Sequence, residues 1–175
     1  MSKLKYQGTE IVKNNDPNAW SKRVLLFTPT LGLIRAEWVQ GRYGQTIPTN
    51  WSHVELIQYI SSYIPVGYQL ADAQNLMAKT VIEGDYDWVI YLEDDNIPPP
   101  NMLLKFNQYM QKDEIPVVSG IYFTKSYPSE PVLYRGRGTG AYTKWKMGDK
   151  VWVVGTPCAF LRLPQCILRW SSMLL

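Results

Sequence analysis

The segment that most restricts the fold is the apolar run Trp88-Val89-Ile90-Tyr91-Leu92. It passes with no polar transition into Glu93-Asp94-Asp95-Asn96 and then into Pro98-Pro99-Pro100. A short, continuously apolar stretch bounded by turn residues has the pattern of a buried strand, and buried parallel strands belong to sheets covered by helices. The prolines lack a backbone N–H and fix φ, so neither strand nor helix runs through them. Three carboxylates gathered at one strand end repel one another, which costs stability unless positive charge joins them. A hard divalent cation such as Mg²⁺ or Mn²⁺ meets that need, because it takes oxygen ligands and shares them with substrate phosphates. The plain structural alternative is an Asp/Asn-rich turn that faces water and caps the next helix.

The rest of the chain supplies the alternation such a sheet requires. Residues 1–22 are polar, with an Asn14–Asn18 turn cluster, and read as a weakly ordered lead-in to one domain over 23–175. Arg23–Thr30 reads as a first buried strand closed by Pro29, and Leu33 to about Tyr43 as a helix with Leu33, Ile34, Trp38 and Val39 as its apolar contacts. Ser52–Ser61 reads as a second strand with His53 inside it. Leu70, Ala73, Leu76, Met77 and Val81 fall at helical spacing within 69–83. After the acidic turn, Asn101 is placed to cap a helix reaching about Lys112, and Pro116–Phe123 reads as a buried strand. Thr124–Lys150 is a long excursion rich in Gly, Tyr, Lys and Arg. Val151–Val154 and Cys158–Leu163 form the last predicted strand pair, and Gln165–Leu174 a final helix. The expected fold is a single α/β domain: a mostly parallel sheet flanked by helices, with a small antiparallel late portion. Ligands of such sheets bind outside the C-terminal strand ends, where the Thr28–Gly32 and Glu93–Asn96 turns both lie.

Composition narrows the function classes. With 175 residues the chain is long enough for one real core and too short for two ordinary ones. A net charge of +3 gives no ground for a nucleic-acid partner. No apolar run approaches the roughly 18–20 residues of a membrane span. Met1–Lys5 contain no apolar core of a signal peptide, so the expected location is the cytoplasm. Cys158, Cys166 and the single His53 have no zinc-ligand spacing, and the two cysteines read as buried thiols of a reducing compartment.

Further candidate residues cluster around the acidic turn. Thr28, Pro29 and Thr30 bring small and hydroxyl-bearing residues to the first strand end, and Arg35 lies within reach of a base or phosphate; an ordinary connection with a solvated arginine is the alternative. Asp72 and Asn75 open the helix preceding the acidic strand and either face the same crevice or satisfy their own helix terminus. Arg135-Gly136-Arg137-Gly138-Thr139-Gly140 is basic and glycine-rich, but it lacks the strand-to-helix context of a dinucleotide fingerprint.

Taken together, the Thr-Pro-Thr turn at 28–30, Asp72-Ala73-Gln74-Asn75, Leu92–Asn96 with its prolines, Val117–Phe123, Pro131–Gly140 and Val151–Pro157 resemble a glycosyltransferase of the GT-A fold, close to the family 2 type. The resemblance runs from about Arg23 to Leu163. It implies an Asp-x-Asp-type element that contacts ribose through its first acid, here Glu93, and coordinates Mn²⁺ or Mg²⁺ through its last, here Asp95, with Asp94 between them. It implies that Pro29 and Thr30 line the base pocket. Glu93 stands where the family writes Asp, Gln74 where it often has Arg, and Val154 where it tends to carry an acid. The family's catalytic base and a further metal ligand usually follow the region where this sequence stops, so the chain is expected to be C-terminally shortened.

The resulting expectation is a protein that binds a nucleotide-diphosphate sugar donor and transfers the sugar to a carbohydrate or other hydroxyl acceptor. Asp94 and Asp95 would be the metal ligands. Thr28, Pro29, Thr30, Arg35, Asp72, Asn75, Glu93 and Asp94 would contact the donor, and no catalytic base is assigned. Two alternatives remain open: a nucleotidyltransferase of similar fold, and an inactive or truncated module that binds carbohydrate or nucleotide.

Overall fold

The computed structural model describes residues 24–48, 63–112, 114–156 and 160–164. In chain order its elements are β1 (Val24–Phe27), α1 (Ala36–Tyr43), α2 (Leu70–Glu83), β2 (Trp88–Leu92), α3 (Met102–Lys112), β3 (Val118–Ser119) and β4 (Phe160–Pro164). The expected lead-in, the Ser52–Ser61 strand with His53, both cysteines and the Gln165–Leu174 helix lie outside the described residues.

The acidic strand stands at the centre of the sheet, as its unbroken apolar sequence requires. The strand order is β1-β2-β4-β3. β1 pairs parallel to β2, from Val24 opposite Trp88 to Phe27 opposite Tyr91. The outer edge of β1 is covered in its turn: Phe27 and Thr30 form parallel bridges to Tyr63 and Val66. On the other side β4 pairs antiparallel to β2, with Leu92 opposite Phe160, and β3 pairs antiparallel to β4. The sheet is therefore mixed. Its parallel part is the early half of the chain, and the late, antiparallel strand is inserted directly against β2 rather than set apart from it.

Side chains alternate across this sheet with period two, and each face meets different helices. Val24, Leu26, Trp88, Ile90 and Leu92 pack with Trp38 of α1 and with Met102, Leu103, Phe106 and Met110 of α3. Leu25, Phe27, Val89 and Tyr91 pack with Met77 and Val81 of α2. The parallel register sets Phe27 beside Tyr91, and their rings stack at 6.0 Å while Tyr63 meets Phe27 edge-on at 5.5 Å. Burial of each large side chain in these two layers stabilises the fold by about 1.5–3 kcal/mol relative to exposure, so β2, buried at every position, anchors the domain.

Helix limits follow local chemistry. α1 starts at Ala36, later than the expected Leu33, because Gly32 turns the chain with φ +110° and Arg35 is still extended. Leu33 is consequently 93% exposed and makes no core contact, leaving Trp38 as the buried apolar side chain of α1. α2 buries Ala73, Met77 and Val81, a stripe at spacing four, and stops at Gly84, whose N–H donates to the Thr80 carbonyl. Ahead of the late excursion the expected Pro116–Phe123 strand contracts to Val118–Ser119. Val151–Val154 forms no strand; a bridge between Tyr134 and Gly155 takes its place.

Candidate functional site

The acidic turn leaves the C-terminal end of β2 and is splinted along its length by α1 and the residues just after it. The Trp38 indole N–H donates to the Glu93 carbonyl at 2.9 Å. One turn further, Gly41 lies against Ile97 and Pro98 so closely that a Cβ there would sit 3.0 Å from Ile97 Cγ2 and 3.1 Å from both Pro98 Cδ and the Pro98 carbonyl oxygen. The buried Gln45 amide nitrogen (Nε2) donates to the Gly41 carbonyl at 2.7 Å and to the Pro99 carbonyl at 2.8 Å. Its Oε1 accepts from the Leu103 N–H at 3.4 Å, at the start of α3. The Thr46 N–H donates to the Pro100 carbonyl at 2.8 Å. Prolines supply no N–H of their own, so these carbonyls need donors from elsewhere, and α1 with its continuation provides them.

From sequence Trp38 is expected only as an apolar contact of its helix, and Gly41, Gln45 and Thr46 are not singled out. Part of the signal was present: Trp38 and Gly41 fall at positions i and i+3, one face of α1, and a glycine within a helix costs about 1 kcal/mol relative to alanine unless a close neighbour needs the space. Gln45 lies beyond the helix end at Tyr43 and had no such signal.

The carboxylates on this rigid turn are unequally placed. Glu93 is half-buried and Asp95 exposed. Burial, then the neighbouring Asp95 and Asp94 charges, raise the Glu93 pKa above the ordinary carboxylate range. Asn96 ties the cluster together, its Nδ2 donating to Asp95 Oδ1 at 2.7 Å and to Glu93 Oε2 at 3.4 Å. Lys125 approaches Asp95 Oδ2 at 3.4 Å from a side chain that is 90% exposed. An exposed pair of that kind contributes about 0–1 kcal/mol and does not balance three adjacent carboxylates.

Among the described residues no group of three or more His, Cys, Asp or Glu side chains is arranged to hold a metal ion. The turn is thus not a closed protein cage. Its donor set does fit a hard cation of the Mg²⁺ or Mn²⁺ kind, which takes one or two carboxylates and completes its shell with water and substrate phosphate.

The Thr28–Thr30 turn lies at the same edge, because the β1–β2 register carried past Phe27 and Tyr91 sets it beside Leu92 and Glu93. Its backbone is already committed: the Thr28 and Thr30 amides donate to Tyr63 and Pro65, and the Thr30 carbonyl accepts from Gly67. Thr30 Oγ1 accepts from the Gly32 N–H at 3.1 Å. Thr28 is wholly buried, and its hydroxyl has no hydrogen-bond partner among the described residues. What the edge offers a ligand is therefore Pro29 and an apolar lip, in which Leu31 is 83% exposed and Val66 and Tyr68 are also exposed. Val66 and Tyr68 escaped the sequence reading, since only the bridge to Thr30 carries them there.

Arg35 pairs with Glu37 at 3.6 Å on the surface of its own helix terminus. Asp72 and Asn75 are exposed, as are Lys79 and Glu83 at the same helical spacing, and this stripe lies away from the buried Ala73–Met77–Val81 face. The structure groups Glu93, Asp94 and Asp95 with Asn96 and Lys125, brings Pro29 alongside, and leaves Asp72 and Asn75 on the solvent side of α2.

No helix among the described residues is long and apolar enough to cross a membrane. No protein-family model matches the chain, and no curated protein matches its sequence. Among solved structures, the crystal structure of A197 from STIV is similar, with a TM-score of 0.55 and 18% identity, covering 84% of this chain and 67% of that one. At that identity the likeness is one of fold: the chain is an α/β protein whose acidic turn sits at the C-terminal edge of a mixed sheet.

Proposed function

We propose that the chain binds a nucleotide-diphosphate sugar through a divalent cation at Glu93–Asp95 and transfers the sugar to an acceptor hydroxyl. The observation that carries this reading is the uncompensated charge of the acidic turn. A half-buried Glu93 is held beside Asp94 and Asp95 by a splint of partly buried hydrogen bonds, and its ionisation is disfavoured by burial and by those neighbours. A fold that holds mutually repelling carboxylates rigidly at a strand end bears a cost that a cation removes.

Asp94 and Asp95 are the ligands in this reading, and Glu93 accepts a hydrogen bond from a ribose hydroxyl. Pro29, Val66 and Tyr68 form an apolar wall for the base. Lys125, adjacent to Asp95, is free to turn to the diphosphate once its partner is engaged, as its exposure allows. When bound, the cation supplies Lewis-acid stabilisation of the charge on the leaving diphosphate. The acceptor's general base is unassigned. Glu130 and Asp149 are both exposed, and Asp149 Oδ2 already accepts from the Lys146 N–H at 2.8 Å.

The test is thermal stabilisation by Mn²⁺ with a panel of nucleotide sugars. Stabilisation that needs both components and disappears in Asp95→Ala supports the reading; no shift with any nucleotide sinks it. A sugar-binding module that needs no metal is the second reading, favoured by the exposed rings of Tyr127 and Trp152, and it predicts glycan binding that survives EDTA.

A further inference from the structure

The late excursion and the residues just after it, which the acidic turn does not use, form an open-sided surface cavity of about 280 Å³ lined by Arg135, Tyr142, Lys144, Asp149, Lys150 and Trp152. Its walls are locally fixed. The Tyr142 N–H donates to the Leu133 carbonyl at 2.8 Å, and Tyr134 and Gly155 are bridged across the base of the excursion. The Arg135 guanidinium lies over the Tyr142 ring at 5.1 Å, and Lys150 Nζ lies over the Tyr109 ring of α3 at the same distance. Both cations are thus seated on aromatic faces; the guanidinium keeps its in-plane N–H donors for another partner, and the ammonium keeps those not turned to the ring.

Three cationic side chains face one carboxylate in this cavity, and that carboxylate closes its own turn through the Lys146 N–H. The electrostatic preference is for an anion. Arg135 supplies a planar fork that matches the two oxygens of a phosphate or carboxylate. Trp152 is 78% exposed, and its indole offers a flat apolar face on which a sugar ring can stack. The volume lies just below the usual range of small-ligand sites, about 300–1,000 Å³, and holds a single ring rather than an extended polymer. A single-stranded nucleic acid would ask for a continuous basic groove with successive stacking rings.

We propose that this cavity binds one sugar ring bearing an anionic group, a phosphate ester or a carboxylate, gripped by Arg135, Lys144 and Lys150 and covered on one face by Trp152. The site shares no residue with the acidic turn, so it stands or falls separately from the metal-dependent donor site.

Calorimetric titration of the full chain in EDTA, which silences the acidic turn, tests it with glucose 6-phosphate, glucuronate, glucose, inorganic phosphate and an oligothymidylate. The expected result is binding of glucose 6-phosphate or glucuronate, whichever anion the site prefers, with glucose weaker by about tenfold or more, the worth of a charge-assisted contact. Arg135→Ala should weaken the anionic sugars by a similar factor, and Arg135→Lys should fall between it and the parent. Trp152→Ala should weaken the anionic sugars while leaving inorganic phosphate unchanged. Thermal melts matching the parent show that the variants fold, and Lys144→Gln gives a second reading of the charge requirement should Arg135→Ala not fold. The proposal is overturned if neither anionic sugar binds, if glucose or inorganic phosphate binds as tightly as they do, if the oligothymidylate binds more tightly, or if Arg135→Ala and Lys144→Gln leave their affinity unchanged.

Discussion

Gly41→Ala sets two opposing effects against each other at the splint of the acidic turn. Within α1, replacing glycine by alanine should stabilise the helix by about 0.8–1 kcal/mol. The new methyl would meet Ile97 Cγ2 at 3.0 Å and Pro98 Cδ and carbonyl oxygen at 3.1 Å, a few tenths of an ångström inside ordinary contact. Two of these three atoms belong to a proline ring and a peptide carbonyl, which cannot rotate away, so the segment itself must move. Overpacking of that kind costs about 1–3 kcal/mol. The balance is a net loss of roughly 0–2 kcal/mol, with a displacement passed to the Glu93–Asp95 turn through Ile97 and Pro98. Urea unfolding gives the stability change, and Mn²⁺-dependent stabilisation in the presence of a nucleoside diphosphate gives the effect on the site. Gly140→Ala is the control, since a Cβ there meets nothing within 4 Å. The expected pattern is a Gly41→Ala protein no more stable than the parent and weaker in Mn²⁺-dependent stabilisation, with Gly140→Ala unchanged in the latter. A Gly41→Ala protein that gains the full helix-propensity increment and keeps the parent's metal response would refute the splint.

Two other substitutions probe the same turn. Gln45→Ala strips the Pro99 carbonyl and the Leu103 N–H of their shared partner, and should cost about 1–3 kcal/mol in urea unfolding because those groups are left without a donor or acceptor. Glu93→Gln tests the charge strain: the pKa of Glu93 is raised in the fold, so the stability tied to its neutral form is complete below the unfolded carboxyl's pKa and is lost as pH rises through the folded value. Without metal, Glu93→Gln should therefore melt above the parent at pH 7, and this advantage should vanish near pH 4; an advantage independent of pH would contradict the assignment.

The parts of the fold that were legible in the sequence are those set by local pattern. The apolar run 88–92 had to be a buried strand, and Ala73, Met77 and Val81 had to form one face of a helix, whatever they packed against. The place of the late strand was not legible. An antiparallel late portion was expected, but β4 lies against β2 from some seventy positions later in the chain, and no local feature of either strand states that the two pair. Leu33 looked like a core residue because it is apolar, but the turn at Gly32 delays the helix and leaves it in solvent. At the site, the acidic cluster could be read directly, whereas its support could be read only in part. Gln45 is an unremarkable polar residue until the prolines at 98–100 are seen to need its amide, a need set by tertiary approach. Asp72 and Asn75 show what helical phase adds: it sets both on the exposed side of α2, off the buried Ala73–Met77–Val81 stripe, which their proximity in sequence to the acidic strand did not state.

Metal affinity at the acidic turn is the measurement that bears most directly on the proposed function. Calorimetric titration of Mn²⁺ into the chain with a nucleoside diphosphate present, repeated on Asp95→Ala, should show one saturable site in the parent and none in the variant. At a free ligand level of 100 Kd, occupancy should stabilise the parent by about 2.7 kcal/mol. Saturable binding of equal strength in both proteins, or none in either, would contradict the reading of Glu93–Asp95 as a metal–diphosphate site.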